Sequence, residues 1–209
     1  EGRGVSLEAI QAFLLGYSPT DPYALKRRLK GLGYTEEELE AAGLLRGDGA
    51  EKHDQFRNRV MYPIRDLEGK ITGFGARQLD ATPPKYLNTP RTPVFDKGGT
   101  LYGLDLAIEA IRRQGVGVIV EGYMDVIAAH QLGFTNVVAS MGTALTRDQM
   151  ASLRRFAAAF VLALDPDAAG QAATLQRLEE AARPFQDVRR TTVARSARAG
   201  EIFAQPAQQ

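Results

Sequence analysis

Val116-Gly117-Val118-Ile119-Val120-Glu121-Gly122-Tyr123-Met124-Asp125 is the stretch on which the reading of this chain turns. An apolar, β-branched run stops at an acid and a glycine, and a helical pattern follows. The motif recurs as Phe160-Val161-Leu162-Ala163-Leu164-Asp165-Pro166-Asp167. Uninterrupted apolar strands of this length belong at the centre of a parallel sheet, where both faces are covered. Around them the pattern predicts a helix over 123–132, a strand over 136–140 and a loop at Gly142–Thr146. It then predicts a helix capped by Thr146 to about residue 157, a strand over 159–164, a helix over 168–183 and a strand over 188–194. Strands alternating with helices form βαβ units, so the fold class is α/β with a mostly parallel sheet flanked by helices.

Upstream the pattern differs. Ser6 precedes Leu7, Ile10, Phe13 and Leu14 as an N-cap before one helical face. Tyr23–Leu32 repeats the helical spacing, and Thr35-Glu36-Glu37-Glu38 is a capping box. Residues 6–45 therefore read as a bundle of short helices, with Lys26, Arg27, Arg28 and Lys30 read as a solvated helix face ahead of the alternative, a basic patch. Residues 46–55 read as a linker or flexible loop. Val60–Ile64 and Ile71–Phe74 flank an acid-glycine turn, a hairpin signal, and Pro63 implies an edge or a bulge. Gly73 and Gly75 imply a close approach by another group. Residues 81–100 form a proline-rich loop before a helix that starts near Leu101.

Between Arg57 and Lys97 lie eight basic and four acidic side chains, although the whole chain carries only +1. Tyr62, Phe74, Tyr86 and Phe95 are interleaved with them. The strip reads equally as a basic edge sheet with core aromatics or as a phosphate-binding groove. The absence of cysteine excludes disulfides and cysteine-ligated zinc. No apolar run approaches the ~18 residues of a membrane span, and no signal peptide opens the chain. These features predict a cytoplasmic protein without membrane contact. The first residue is Glu1 rather than Met, as expected of a fragment.

Open parallel sheets bind ligands beyond the carboxyl ends of their strands. Glu121 and Asp165 follow two such ends, Asp167 lies two residues further, and Asp125 falls one helical turn after Glu121. Each acid alone could simply cap the next helix. Gathered together they would repel by about 4 kcal/mol per pair at ~4 Å and an effective dielectric of ~20. Such a cluster implies a bound hard cation, Mg²⁺ or Mn²⁺.

Several ordered motifs closely resemble the RNA polymerase domain of bacterial replicative primase. They are Arg59-Val60-Met61-Tyr62-Pro63-Ile64-Arg65-Asp66, Gly73-Phe74-Gly75-Ala76-Arg77, Pro84-Lys85-Tyr86-Leu87-Asn88, Lys97-Gly98 with Leu101-Tyr102-Gly103-Leu104, Glu121-Gly122-Tyr123-Met124-Asp125-Val126 and Gly142-Thr143-Ala144-Leu145-Thr146. The resemblance implies an N-terminal α+β subdomain with a basic cleft over residues 1–112. It implies a toprim catalytic subdomain over 113–195 and a flexible tail over 196–209. Glu121, Asp165 and Asp167 match the catalytic and magnesium-binding acids. Arg57, Arg77, Lys85 and Lys97 match basic residues that hold template or nucleotide phosphates, with Tyr86 and Asn88 beside them. The implied activity is synthesis of RNA primers from ribonucleoside triphosphates on single-stranded DNA, for DNA replication. A replicative helicase and a zinc-binding domain are partners expected of the full-length protein and not of this segment.

The chain departs from the resemblance at several points. Asp165-Pro166-Asp167 carries proline where glycine is usual, Arg91 replaces a usual Glu, Asp96 a usual His and Gln55 a usual Arg. A further acidic cluster is reduced to Glu201. Two other activities stay open on the residues: a toprim nuclease or strand breaker, and a catalytically silent single-stranded DNA-binding module. A strand breaker needs a tyrosine nucleophile, and Tyr123, the nearest, is expected to point into the core.

Overall fold

The computed structural model describes residues 4–80, 83–141, 145–164 and 187–192. The described chain divides into two compact units, one built from residues 10–97 and the other from the residues before Ile10 and after Lys97.

The first unit opens with the end of α1 (Leu7–Ala12), whose Ala9 N–H donates to Ser6 Oγ as the cap signal requires. Helices α2 (Ala24–Lys30) and α3 (Glu36–Ala41) follow, and the capping box at the start of α3 is present in full. The expected helix bundle is only part of this region. Gly16–Ser18 forms a strand, β1, because it pairs antiparallel with a distant segment rather than through any local pattern.

The expected linker over 46–55 is ordered. It holds β2 (Leu45–Arg46), a 3₁₀ turn (Gly49–Glu51) and β3 (His53–Asp54), with β2 and β3 paired. Asp54 explains the order: it is 2% exposed, and its carboxylate accepts from the backbone N–H of Leu25 (2.7 Å) and Lys26 (2.9 Å). It thus satisfies the first free donors of α2 from 28 residues away.

The hairpin is β4 (Arg59–Arg65) and β5 (Ile71–Gln78), joined by a turn in which Asp66 accepts from Glu68 and Lys70 N–H and Gly69 takes φ +80°. The antiparallel sheet runs β1-β4-β5-β6, with β6 (Tyr86–Asn88) drawn from the proline-rich loop. β1 covers β4 only at Arg59–Met61, so Pro63 sits where β4 is an edge, and the register shifts just beyond it at Ile64/Arg65. The close approach expected at Gly73 is the Phe95 ring, 3.0 Å from where a Cβ would stand. Tyr62, Ile64 and Phe95 bury that half of the sheet face.

In the second unit, α4 (Leu104–Gln114) buries Leu104, Ala107, Ala110 and Ile111 and stops at Gly115, which takes φ +69°. Strand β7 (Val116–Val120), α5 (Tyr123–Gln131), β8 (Val137–Ala139), α6 (Arg147–Arg154), β9 (Ala159–Leu164) and β10 (Asp187–Thr192) follow. The sheet order is β10-β9-β7-β8 and every pairing is parallel. Ile119, Val137, Val138 and Phe160 are almost fully buried, as continuous apolar strands require. Thr146 caps α6 through a capping box with Gln149, whose side-chain amide also donates to Thr100 C=O (2.9 Å). The outer edge of β8 is occupied: Tyr102 exchanges two backbone hydrogen bonds with Ala139 (2.9 and 3.1 Å), and His130 Nε2 lies 2.8 Å from Val137 C=O. The helix expected over 168–183 lies outside the described residues.

Candidate functional site

The side chains that the sequence singles out fall into two sets, one in each unit. In the second unit, β7 and β9 are parallel neighbours and end at Val120 and Leu164. Glu121 follows the first end and is half-buried. Its neighbour Gly122 is extended, and its N–H donates to Asp125 Oδ2 (3.0 Å) as the cap of α5. Asp125 is therefore exposed and caps the helix that follows it. Asp165 directly follows the second strand end in sequence. Asp165 and Asp167 both lie outside the described residues, and among the described residues no three acidic or histidine side chains form a metal-sized group. The Tyr123 ring is 3% exposed and packs edge-on against Tyr102, with centroids 4.7 Å apart. Buried in this way, it is not presented as a nucleophile.

In the first unit, the register aligns Tyr17, Val60, Arg77 and Tyr86 as one row across all four strands. Opposed residues share a sheet face. Tyr86 is 42% exposed, with the Arg77 guanidinium 5.7 Å and the Lys85 ammonium 5.9 Å from its ring centroid. Asn88 pairs with Gly75 two residues further along β6. The basic-aromatic strip thus resolves into two populations. Tyr62 and Phe95 are core and Phe74 packs edge-on against Phe56, whereas Arg77, Lys85 and Tyr86 form an open cationic patch.

Arg57 lines a cavity of about 340 Å³ with Arg46, Arg59, Gln55 and Asp80, and with Gln78 and Leu87, the chain neighbours of Arg77 and Tyr86. Arg59 donates to Pro84 C=O (2.9 Å), and burial pushes its guanidinium below the usual arginine range, against the opposing charge of Asp80 and with a smaller push from Arg57. Lys97 is half-buried, and burial lowers its ammonium below the usual lysine range. Two of the sequence departures meet, for Arg91 pairs with Asp96 at 3.3 Å. Both partners are largely exposed, so the pair contributes little to stability. Arg46 and Tyr17 escaped the sequence reading because each sits on a strand of three residues or fewer, which has no local signature.

A family model described as the N-terminal domain of the DNA primase catalytic core matches residues 1–108. The chain belongs to the DNA primase catalytic-core family. A toprim domain model matches residues 115–193, the stretch that holds the parallel sheet. A DNA primase of Clostridium acetobutylicum is 49% identical over 177 residues, covering 83% of this chain and 29% of the relative. The chain thus spans under a third of that protein's length. A crystal structure of a DNA primase domain from Pseudomonas aeruginosa superposes with a TM-score of 0.84 at 38% identity, covering 96% of this chain and 64% of the other. A primase catalytic domain solved bound to single-stranded DNA superposes at 0.82 with 37% identity, covering 95% and 63%. No described helix is long and apolar enough to cross a membrane.

Proposed function

We propose that this chain is the catalytic core of an enzyme that synthesises RNA primers from ribonucleoside triphosphates on single-stranded DNA during DNA replication. The observation that carries this reading is the sheet face of Arg77, Lys85 and Tyr86, a cationic aromatic surface open to solvent. Such a surface suits a single strand, whose phosphates are anionic and whose bases stack. A solved structure similar to this chain, a primase catalytic domain, was determined bound to single-stranded DNA, and the same chain carries an acid directly after a parallel strand end.

The functional division follows the sequence. Residues 1–112 hold template and nucleotide, and residues 113–195 carry the chemistry. Arg57, Arg77, Lys85 and Lys97 neutralise phosphates, Tyr86 offers a stacking face and Asn88 a hydrogen-bonding side chain. Lys97, partly stripped of water, gains more from a phosphate partner than a fully hydrated lysine does.

Glu121, Asp165 and Asp167 would hold Mg²⁺, with Mn²⁺ as a substitute. An all-oxygen donor set fits a hard cation, and Glu121 and Asp165 directly follow the same-direction ends of adjacent strands. When bound, the metal supplies charge neutralisation at the phosphates and acidifies the attacking hydroxyl. The chain's own contribution is orientation: parallel strands buried on both faces fix where Glu121 begins, and the cap at Gly122 turns the backbone away directly afterwards. The reading places the protein in the cytoplasm, with a zinc-binding domain and a helicase-docking region supplied by the rest of a full-length primase.

Incubation with labelled ribonucleotides, single-stranded template and Mg²⁺ tests it. The parent chain should extend products, and Glu121→Gln should lose at least a hundredfold in rate while its circular dichroism is unchanged. An active Glu121→Gln variant overturns the acid assignment. Template cleavage instead of extension would establish a nuclease, and DNA binding with no incorporation even under Mn²⁺ would establish a silent binding module.

A further inference from the structure

The row across the antiparallel sheet begins with Tyr17, which no motif assigns. Tyr17 opposes Val60, Val60 opposes Arg77 and Arg77 opposes Tyr86, so the four side chains share one face. At the opposite end of that face Tyr62, Ile64 and Phe95 are buried, whereas Tyr17 is 55% and Tyr86 42% exposed. The face is closed at one end and open at the other, and its open end carries a tyrosine on each outer strand.

The position of Tyr17 is held. Its hydroxyl donates to Asn58 Oδ1 (3.3 Å), and Asn58 Nδ2 donates to Asp80 Oδ2 (2.7 Å). Asn58 itself takes φ +52°, an uncommon conformation outside glycine that Asn tolerates better than most residues. A ring that served only as surface cover would need no such tether. Three inter-strand steps of ~4.8 Å place β1 roughly 14 Å from β6. That is too far for one base to span, so the two tyrosines would meet different nucleotides. Arg77 lies between them in the row and Lys85 beside Tyr86, which supplies cations for the intervening phosphates.

We propose that Tyr17 is a base-stacking residue, forming with Tyr86 a two-ring platform for a single-stranded nucleic acid laid across β1, β4, β5 and β6. The inference rests on the nucleic-acid reading above and deepens it. Stacking on a bare ring is indifferent to base identity, as a copying enzyme needs. The platform recognises base and backbone by different residues: rings for bases, Arg77 and Lys85 for phosphates.

The test separates those two contributions. Oligothymidylate and an abasic oligonucleotide of the same length are titrated against the parent chain, Tyr17→Ala, Tyr17→Phe and Lys85→Ala. Tyr17→Ala should bind oligothymidylate about tenfold more weakly, and Tyr17→Phe, which keeps the ring but loses its tether to Asn58, should fall between Tyr17→Ala and the parent. On the abasic strand Tyr17→Ala should equal the parent, while Lys85→Ala should be weaker on both strands. The chain has no tryptophan, so Tyr17→Trp introduces a single reporter whose fluorescence should be quenched by oligothymidylate and not by the abasic strand. An unchanged affinity of Tyr17→Ala for oligothymidylate, or an equal loss on both strands, overturns the stacking role. In that case a loss in Lys85→Ala leaves the nucleic-acid reading standing. A parent chain that binds neither strand overturns both.

Discussion

The two four-stranded sheets of this molecule expose their polar side chains in opposite ways. The parallel sheet is buried through its middle, with Ile119 at 1% and Val137 and Val138 at 0% exposed. Function can enter it only where strands stop, and Glu121 is the first residue past such a stop. The antiparallel sheet buries one half of a face under Phe95 and leaves the other open, so the recognition surface proposed above lies on that face, in register, across four strands. A reactive group at a strand end is fixed by a rigid core and can be positioned tightly. A recognition surface spread over a sheet face can follow a flexible polymer.

This contrast breaks most visibly if two residues of β7 and its exit are exchanged in role. Glu121→Gln should abolish incorporation and leave the melting transition in place. Ile119→Ala, two positions earlier, should cost about 3 kcal/mol of stability, measurable by urea unfolding. Equal stability loss in the two variants would erase the distinction between strand interior and strand end.

The next effect concerns acids that serve structure. Asp54→Ala should cost about 2 kcal/mol, because two helix N–H groups and a buried site lose their acceptor. Asp54→Asn, which keeps an acceptor, should recover part of that loss in the same unfolding assay. Asp125→Ala should cost about 1 kcal/mol and leave the metal dependence of incorporation unchanged, which separates it from Glu121.

On the antiparallel side, Gly73→Ala should cost roughly 1–2 kcal/mol, because its Cβ would meet the Phe95 ring at 3.0 Å and a ring cannot yield as a flexible chain does. Denaturant midpoints of Gly73→Ala alone and with Phe95→Leu would show the cost relieved in the pair.

The smallest effect is on pH. His130 is held below the usual histidine range mainly by burial, and its neutral Nε2–H donates to Val137 C=O. The unfolded chain takes up a proton below about pH 6.5 that the folded chain refuses until lower pH. Stability from this site is therefore complete above that value and declines as pH falls through it. Unfolding at pH 7.5 and 5.5 should show a smaller drop for His130→Gln than for the parent.

The second unit was the more legible in sequence. The expected strands 116–120 and 159–164 are β7 and β9 residue for residue, and Thr146 caps α6 as its pattern implies. Continuous apolar runs and capping boxes are local signals. The first unit hid its short strands, since β1, β2 and β3 exist only through partners that local sequence does not name. The polar composition of 46–55 suggested a linker because Asp54 reads as a solvent-facing acid until its helix partner is known. Motif likeness singled out Arg77, Lys85 and Tyr86, which the structure gathers into one patch, while composition could not separate them from core Tyr62 and Phe95. The position of Glu121 was legible because an acid at the end of an apolar strand is conspicuous. Asp165 and Asp167 lie outside the described residues, and their proposed roles rest on sequence and family likeness.

The covered margin of β8 has a consequence for how the protein behaves in a crowded cell. Val137 and Ala139 would otherwise offer outward carbonyls to any extended peptide, and Ala139 an amide as well. Tyr102 and His130 take them first. On that flank a second molecule finds little unsatisfied backbone to add itself to, so the parallel sheet is guarded against growing sideways into fibres.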